Sequence, residues 1–303
     1  MRYTLRQMQC FAALADLLHF SRAADRMNMT QPAFSRQIIA LEEALQVKLV
    51  ARNSHNVKLT AAGDAFLQGC REAFDLLDKA SRRATLIERG FEGSISIGYT
   101  DFAISADLPK LLYEFRRQYP DIILEPFQGS TRELLLRLEN DRLDVVFVTG
   151  PIDRDGLSAV PFTQNGLLVV LCEGHRLAAK PEITMADLAE EDFIFGIPRL
   201  WRFYLRHIER IFAEAGIEPN IVERGFNSEG LFGLVAGRMG ITIYPDCVRN
   251  YHRRGLVLRE VKGLTAKIPT MAVWRDADDA PALANFKDFL HEELETQSQR
   301  ASA

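Results

Sequence analysis

Along the first 45 residues the apolar positions recur at the three- and four-residue steps of helices. Leu5, Met8, Phe11, Ala12, Ala15 and Leu18 mark one amphipathic helix, Ala23, Ala24 and Met27 a short second, and Phe34, Ile38, Leu41 and Leu45 a third. Asn28 and Met29 break the last two apart, Ser21 and Thr30 stand where N-caps are expected, and Pro32 falls in a first turn, where its missing N–H costs little. Three short helices with a tight break before the third predict a helix-turn-helix. The stretch 47–60 then places two short apolar runs around a polar tip, which predicts a small hairpin, or wing. From Ala61 to about Arg89 no proline occurs, and Ala65, Cys70, Ala73, Leu77, Ala80 and Ala84 carry an apolar stripe. That is about 40 Å of helix, with Thr60 as its expected cap. Gly90 and Gly93 end it and leave a hinge.

Beyond the hinge the pattern alternates strand and helix. Strands at Ile95–Gly98, Ile122–Phe127 and Val145–Val148 enclose helices near Leu108–Tyr119 and Thr131–Asp141. Strands at Leu167–Leu171, Phe193–Phe195, Ile221–Arg224 and Ile241–Tyr244 repeat the theme, with helices near Trp201–Ala215 and Ser228–Ala236. The final strand Thr270–Trp274 and helix Ala282–Glu295 are surplus to the second unit and are expected to return to the first. The fold class is α/β with an all-α head: 1–60 a winged helix-turn-helix, 61–89 a linker and dimerisation helix, and 90–303 a two-lobed body resembling a periplasmic binding protein. Lobe I spans about 93–161 and 267–295, lobe II about 162–266. Two such lobes enclose a cleft at the C-terminal ends of strands, where α/β folds hold ligands.

The third helix turns its core residues inward and leaves Gln31, Pro32, Ser35 and Arg36 together at its outer N-terminal end. This chemistry suits a base edge: Arg36 offers a paired donor set to guanine, Gln31 can bond adenine both ways, Ser35 serves base or phosphate, and Pro32 can touch a thymine methyl. Ser21 joins them as a candidate contact, and Arg52 and Lys58 in the wing, beside Lys48 and His55, are candidates for phosphate. The plain alternative is a solvated polar face.

Charge sharpens the choice. Over the whole chain the net charge is -4, yet residues 1–60 hold eight Arg and Lys against four Asp and Glu, a balance of +4 that leaves -8 to the remainder. A basic head on an acidic body fits a local nucleic-acid footprint better than general adhesion to polyanions. With 47% hydrophobic and 26% charged residues in 303, the composition is that of an ordinary globular chain of more than one domain. There is no run of 18 apolar residues and no signal-peptide pattern at MRYTLRQMQ, so a cytoplasmic protein without membrane partners is expected. Cys10, Cys70, Cys172 and Cys247 are scattered without a Cys-x-x-Cys, and the six histidines form no ligand cluster; neither a metal nor another cofactor is called for.

The head closely resembles that of the LysR-type transcriptional regulators. The likeness rests on Phe11, Ala23-Ala24, Gln31-Pro32-Ala33, Ser35-Arg36-Gln37-Ile38, Leu41-Glu42, Leu49, Arg52, Leu59-Thr60 and Gly63, with looser matches at Leu143-Asp144-Val145 and Gly237-Arg238-Met239-Gly240-Ile241. Val50 departs from it, standing where the family usually has Phe. The resemblance implies a homotetramer, a dimer of dimers, that binds an interrupted palindrome in double-stranded DNA and answers to a small molecule held between the lobes; RNA polymerase is a further candidate partner. Carried onto this chain, the effector-binding candidates are Thr100, Asp101, Phe102, Ser130, Thr131 and Thr149 from lobe I, and Trp201, Phe203, Phe226 and Asn227 from the Pro198–Phe203 stretch and its neighbour.

Hydroxyls and free N–H groups at helix starts suit a carboxylate, and the three aromatics a ring or aliphatic body. Against this stand two plainer roles: Ser130 and Thr131 as helix caps, and the aromatics as lobe core. Relatives that answer to aromatic acids can carry Arg near Thr149 or Gly150. None stands there in this chain, which leaves Arg199 or Arg202 to supply a cation from the other lobe. An enzyme is the rival from another class, but no Gly-x-Ser-x-Gly, phosphate loop or Gly-x-Gly-x-x-Gly occurs. A solute-binding protein lacks a reason for the basic head. A thiol redox sensor would need a low-pKa, accessible Cys172 or Cys247.

Overall fold

The computed structural model describes residues 3–53, 56–88, 93–251, 253–278 and 280–302 and divides the chain into two units, Met1–Ala84 and Thr85–Ala303.

In the first unit α1 (Leu5–Leu17) starts from a reciprocal cap: Gln7 N donates to Thr4 Oγ1 at 3.3 Å and Thr4 N to Gln7 Oε1 at 2.7 Å. α2 (Phe20–Arg26) begins at His19, not at Ser21. The His19 ring nitrogen Nδ1 accepts from Arg22 N at 3.3 Å, so Ser21 is the second residue of the helix and its hydroxyl is released to donate to Gln31 Oε1 at 2.9 Å. α3 (Gln31–Leu45) does start after Thr30, although the Thr30 hydroxyl makes no capping bond. Phe34, Ile38 and Leu41 are fully buried with Phe11, Leu14 and Ala23, as their spacing requires.

The wing is an antiparallel hairpin, β1 (Val50–Asn53) against β2 (Asn56–Leu59), with Val50 opposite Leu59. α4 (Ala61–Glu88) follows, capped as expected by Thr60, whose Oγ1 accepts from Gly63 N at 2.9 Å and donates to Lys48 O at 2.7 Å. Leu67 and Cys70 anchor the start of α4 in the head core, whereas Leu76 and Leu77 stand exposed at 51% and 47%. No helix among the described residues is long and apolar enough to cross a membrane.

The second unit carries, in order, β3 (Gly93–Tyr99), α5 (Asp101–Ser105), α6 (Leu108–Gln118), β4 (Ile122–Gln128), α7 (Thr131–Glu139), β5 (Val145–Thr149) and β6 (Leu157–Asn165). These build lobe I. Lobe II follows with β7 (Leu167–Cys172), β8 (Ile183–Thr184), β9 (Asp192–Gly196), α8 (Pro198–Glu214), β10 (Asn220–Gly225), α9 (Ser228–Ala236), β11 (Thr242–Pro245), β12 (Leu256–Arg259) and β13 (Val261–Lys262). The chain then returns through β14 (Ile268–Arg275) and α10 (Pro281–Ser302).

The lobe I sheet has the order β4-β3-β5-β14-β6, parallel from β4 to β5 and antiparallel where β14 enters. The last strand and helix therefore do complete the first lobe, with Leu283, Phe286 and Leu290 of α10 buried beside Ile97 and Phe147. β6 belongs to this sheet through Asn165, and Phe162 to its core, past the boundary expected near 161. In lobe II β7 lies between β11 and β12, and a single bridge from Phe193 to Ile241 joins the parallel β9–β10 pair to the start of β11. Two crossing segments, around Gly166 and before Ile268, connect the lobes, so the ends of β3 and β5 face the start of α8.

Candidate nucleic-acid face and interlobe cavity

On the head, Gln31, Pro32 and Arg36 are exposed at the start of α3, with Ser35 half-buried beside them and Ser21 tied to Gln31. Five of the predicted contacts thus share one patch. Lys58 is exposed on β2; the Arg52 side chain and His55 lie outside the described residues. The remaining cations sort by what holds them. Arg6 donates to Met27 O at 2.8 Å, and Arg26 and Arg71 share Asp16 at 3.3 and 2.8 Å. Lys48, expected to face phosphate, instead reaches Glu42 Oε2 at 2.7 Å. No hydrogen bond or ion pair among the described residues engages the side chains of Arg22, Arg36 or Lys58, so these cations can meet a ligand without first leaving a partner.

Glu42 explains why the wing sits where it does. Its carboxylate is buried on α3, and Oε1 accepts from Leu49 N at 2.9 Å and Val50 N at 3.1 Å while Oε2 takes the Lys48 ammonium. Burial alone would raise its pKa; the Lys48 contact and the two backbone donors outweigh it and hold the carboxyl below its ordinary value. The ionised form is the one that fixes the wing root to the recognition helix.

In the body a cavity of about 340 Å³ opens between the lobes, within the range of small-molecule sites. All the effector-binding candidates line it: Thr100, Asp101, Phe102, Ser130, Thr131 and Thr149 from lobe I, Trp201, Phe203, Phe226 and Asn227 from lobe II. Leu200, within the expected Pro198–Phe203 stretch, lines it as well, and so do Gln128, Gly129, Glu133 and Tyr204, which were not foreseen. Tyr204 stands three and four residues after Trp201 and Leu200 on α8, so helical spacing held the signal for it.

The polar groups divide between structural and available. Ser130 does cap α7, its Oγ accepting from Glu133 N at 3.3 Å, and Thr131 Oγ1 accepts from Thr149 N at 3.2 Å. Each hydroxyl spends a lone pair on the fold and keeps its hydrogen for the cavity. The Thr149 hydroxyl makes no hydrogen bond among the described residues although the residue is only 3% exposed, and Thr100 Oγ1 reaches Phe147 O only at 3.5 Å. Asn227 caps α9, its Oδ1 accepting from Gly230 N at 2.8 Å. Asp101 is fully engaged: Oδ2 accepts from Ser228 N at 3.1 Å and Ser228 Oγ at 2.6 Å, and Oδ1 from Gln128 Nε2.

The aromatics divide between the lobe cores and the mouth of the cavity. Phe102 is buried in the core of lobe II, edge-on to Trp201, Tyr204 and Tyr244 with ring centres 5.5, 5.0 and 5.1 Å away. Phe203 packs in the opposite sense, from α8 onto the lobe I core. Trp201 lies over the end of β9, where a β-carbon on Gly196 would fall 2.1 Å from the indole, and donates from Nε1 to Phe226 O at 3.3 Å. Phe226 itself is 63% exposed at the mouth. Among the described residues no Arg or Lys lines the cavity; Arg199 and Arg202 are exposed and outside it, against the expectation that one of them would supply a cation.

Cys172 and Cys247 are buried, and burial, with Asp246 nearby, pushes the Cys247 thiol up to about 12.

A DNA-reading head on a two-lobed ligand-binding body is the composition of an effector-responsive regulator. Residues 5–64 match the family described as "Bacterial regulatory helix-turn-helix protein, lysR family", and residues 88–295 the "LysR substrate binding domain". The chain belongs to the LysR family of transcriptional regulators: it is a DNA-binding regulator with an effector-binding domain, not an enzyme. It is 30% identical over 289 residues to the HTH-type transcriptional regulator YnfL of Escherichia coli (strain K12), covering 95% of this chain and 97% of that one. The same identity holds over 290 residues to the Hca operon transcriptional activator HcaR of that strain, covering 96% and 98%. Among solved structures, CbnR, a LysR family transcriptional regulator, superposes with a TM-score of 0.83 at 26% identity, covering 95% of this chain and 98% of CbnR.

Proposed function

We propose that this regulator binds an interrupted palindrome as a dimer of dimers, joined through α4 and the effector domains, and that its effector is a small monocarboxylic acid with an aromatic or aliphatic body held in the interlobe cavity. It works in the cytoplasm, where the DNA is. RNA polymerase is its candidate partner in activation. The observation that carries the effector reading is the hydroxyl set at the α7 end of the cavity. Ser130, Thr131 and Thr149 present O–H donors with their acceptor needs met elsewhere or absent, beside the positive end of α7. The apolar wall of Phe102, Leu200, Trp201, Phe203 and Phe226 then covers the body of the ligand. With no Arg or Lys among the described residues on the wall and with Asp101 at the far end from α7, a second carboxylate on the ligand would meet like charge. The monoacid is therefore favoured over the diacid.

Thr149→Val keeps the volume and removes the donor. It is expected to weaken binding of a responding monocarboxylate roughly tenfold, by about 1–1.5 kcal/mol, with the melting temperature of the ligand-free protein unchanged. A thermal-shift screen of benzoate and aliphatic monocarboxylates against the full chain finds the responder, since a ligand at 100 times its Kd stabilises by about 2.7 kcal/mol. Equal affinities in wild type and variant would move the effector off this wall. On the head, Arg36→Ala should lose specific operator binding by about 1–3 kcal/mol per half-site, with the fold intact, because it deletes an exposed paired donor at the reading end of α3. Footprinting that gives the same protection pattern and midpoint for both proteins would dismiss Arg36 as a base contact.

A further inference from the structure

We propose that Asp101 is an interlobe positioning residue: a carboxylate rooted in lobe I that occupies the N-terminus of the lobe II helix α9 and ties the two walls of the cavity together before any effector arrives. The proposal rests on the reading of this cavity as the effector site, but its geometry stands apart from the ligand.

Four observations converge on it. Asp101 Oδ2 takes both the backbone N–H and the hydroxyl of Ser228, the first residue of α9, at 3.1 and 2.6 Å. Because the Ser228 hydrogen goes to Asp101, the Tyr244 hydroxyl, 2.6 Å away, is the donor to Ser228 Oγ; a relay of donors thus runs from the lobe II core to a lobe I carboxylate. The other end of the same five-residue helix is also held by lobe II: Asn250 Nδ2 donates to Ser105 O at 2.6 Å, and Ser105 Oγ to Tyr251 OH at 2.7 Å. Between these two ends, adjacent residues of α5 belong to different cores, Phe102 to that of lobe II and Ala103 to that of lobe I. α5 is thus a stitch through both lobes, and Asp101 is its charged end.

The consequence for the effector is specific. The anion position at α9 is filled by the protein itself, so an acid can be received only at the α7 end, and it acts on lobe closure by moving Thr100 and α5 rather than by bridging the lobes with its own carboxylate.

The experiment is hydrogen–deuterium exchange on the full-length protein without added effector. Asp101→Ala should raise exchange about tenfold across 102–106 and 228–232, while 131–139 of α7 keeps its protection. Formate, which matches the deleted carboxylate, should restore protection in that variant where equal chloride does not, and should leave the wild type unchanged. Asp101→Asn retains an oxygen that can accept from Ser228 and should lie between the two. Wild-type exchange in Asp101→Ala would overturn the latch. A rise that neither formate nor the asparagine variant reverses would reduce Asp101 to packing and overturn its role as a stand-in anion. Failure of the effector reading shows separately, as monocarboxylates that bind Thr149→Val as tightly as wild type while the exchange pattern holds.

Discussion

Gly63→Ala is expected to destabilise the head by about 3 kcal/mol, as an overpacked site does, and with it to abolish operator binding at physiological temperature. In an exposed helix the same change normally stabilises, by up to about 1 kcal/mol. Here the sign reverses, because a β-carbon at Gly63 would lie 2.2 Å from the carbonyl oxygen of Leu49, a backbone atom with no rotamer to yield. Leu49 cannot retreat: its N–H is held by Glu42, and its C=O accepts from Thr60 N at 3.0 Å. Gly69, six residues further along α4, has nothing within 4 Å of its would-be β-carbon, so Gly69→Ala should follow the ordinary rule and raise the melting temperature. Chemical denaturation of the two variants side by side checks the pair; a neutral Gly63→Ala would mean the wing root slides freely over α4.

Phe102→Ala should cost the body about 3–5 kcal/mol, the range for emptying a buried phenylalanine site. The ring is 5% exposed and fills the space between Trp201, Tyr204 and Tyr244, so its loss leaves a cavity against three rigid neighbours that are held by their own bonds. Tyr204 OH, for one, donates to Ile243 O at 2.6 Å. Phe226→Ala, at the exposed mouth of the same cavity, should change stability by no more than about 0.5 kcal/mol. Calorimetry on both proteins makes the comparison. Similar losses in the two would show that Phe102 is not the wedge between the lobes.

Local periodicity carried the elements whose burial is one-sided and continuous. α3 is the clearest, since Phe34, Ile38 and Leu41 have a single face to fill. Where the signal failed, it failed for physical reasons that a sequence does not print. Ser21 is a better capping type than His19, but the left-handed turn at Leu18 delivers the chain to α2 two residues early, and a ring nitrogen served as acceptor. β6 hides because its residues, LSAVPFTQN, are mostly half-buried and do not alternate cleanly. α5 is too short to show a period at all.

The cavity was legible through the family resemblance, which carried Ser130, Thr131 and Thr149 onto helix starts and a strand end that the fold brings beside one another. Asp101 could be placed there too, but not its role. Its partner Ser228 lies 127 positions away, and only the folded chain shows that the carboxylate is already satisfied. Arg199 and Arg202 erred in the same direction: they stand in the correct segment, yet the helix turns them outward.

The Glu42 carboxylate, buried between recognition helix and wing root, has a consequence for how a signal can reach DNA. Because the two backbone N–H groups of the wing root and the Lys48 ammonium all close on one side chain of α3, the wing root and the helix proposed to read the operator are held together like a rigid ruler. A ruler of fixed length cannot change which bases it measures. In the dimer of dimers proposed above, effector binding then acts on the distance and phase between one head and the next along the duplex, and regulation becomes a matter of how many base pairs separate two unchanged footprints.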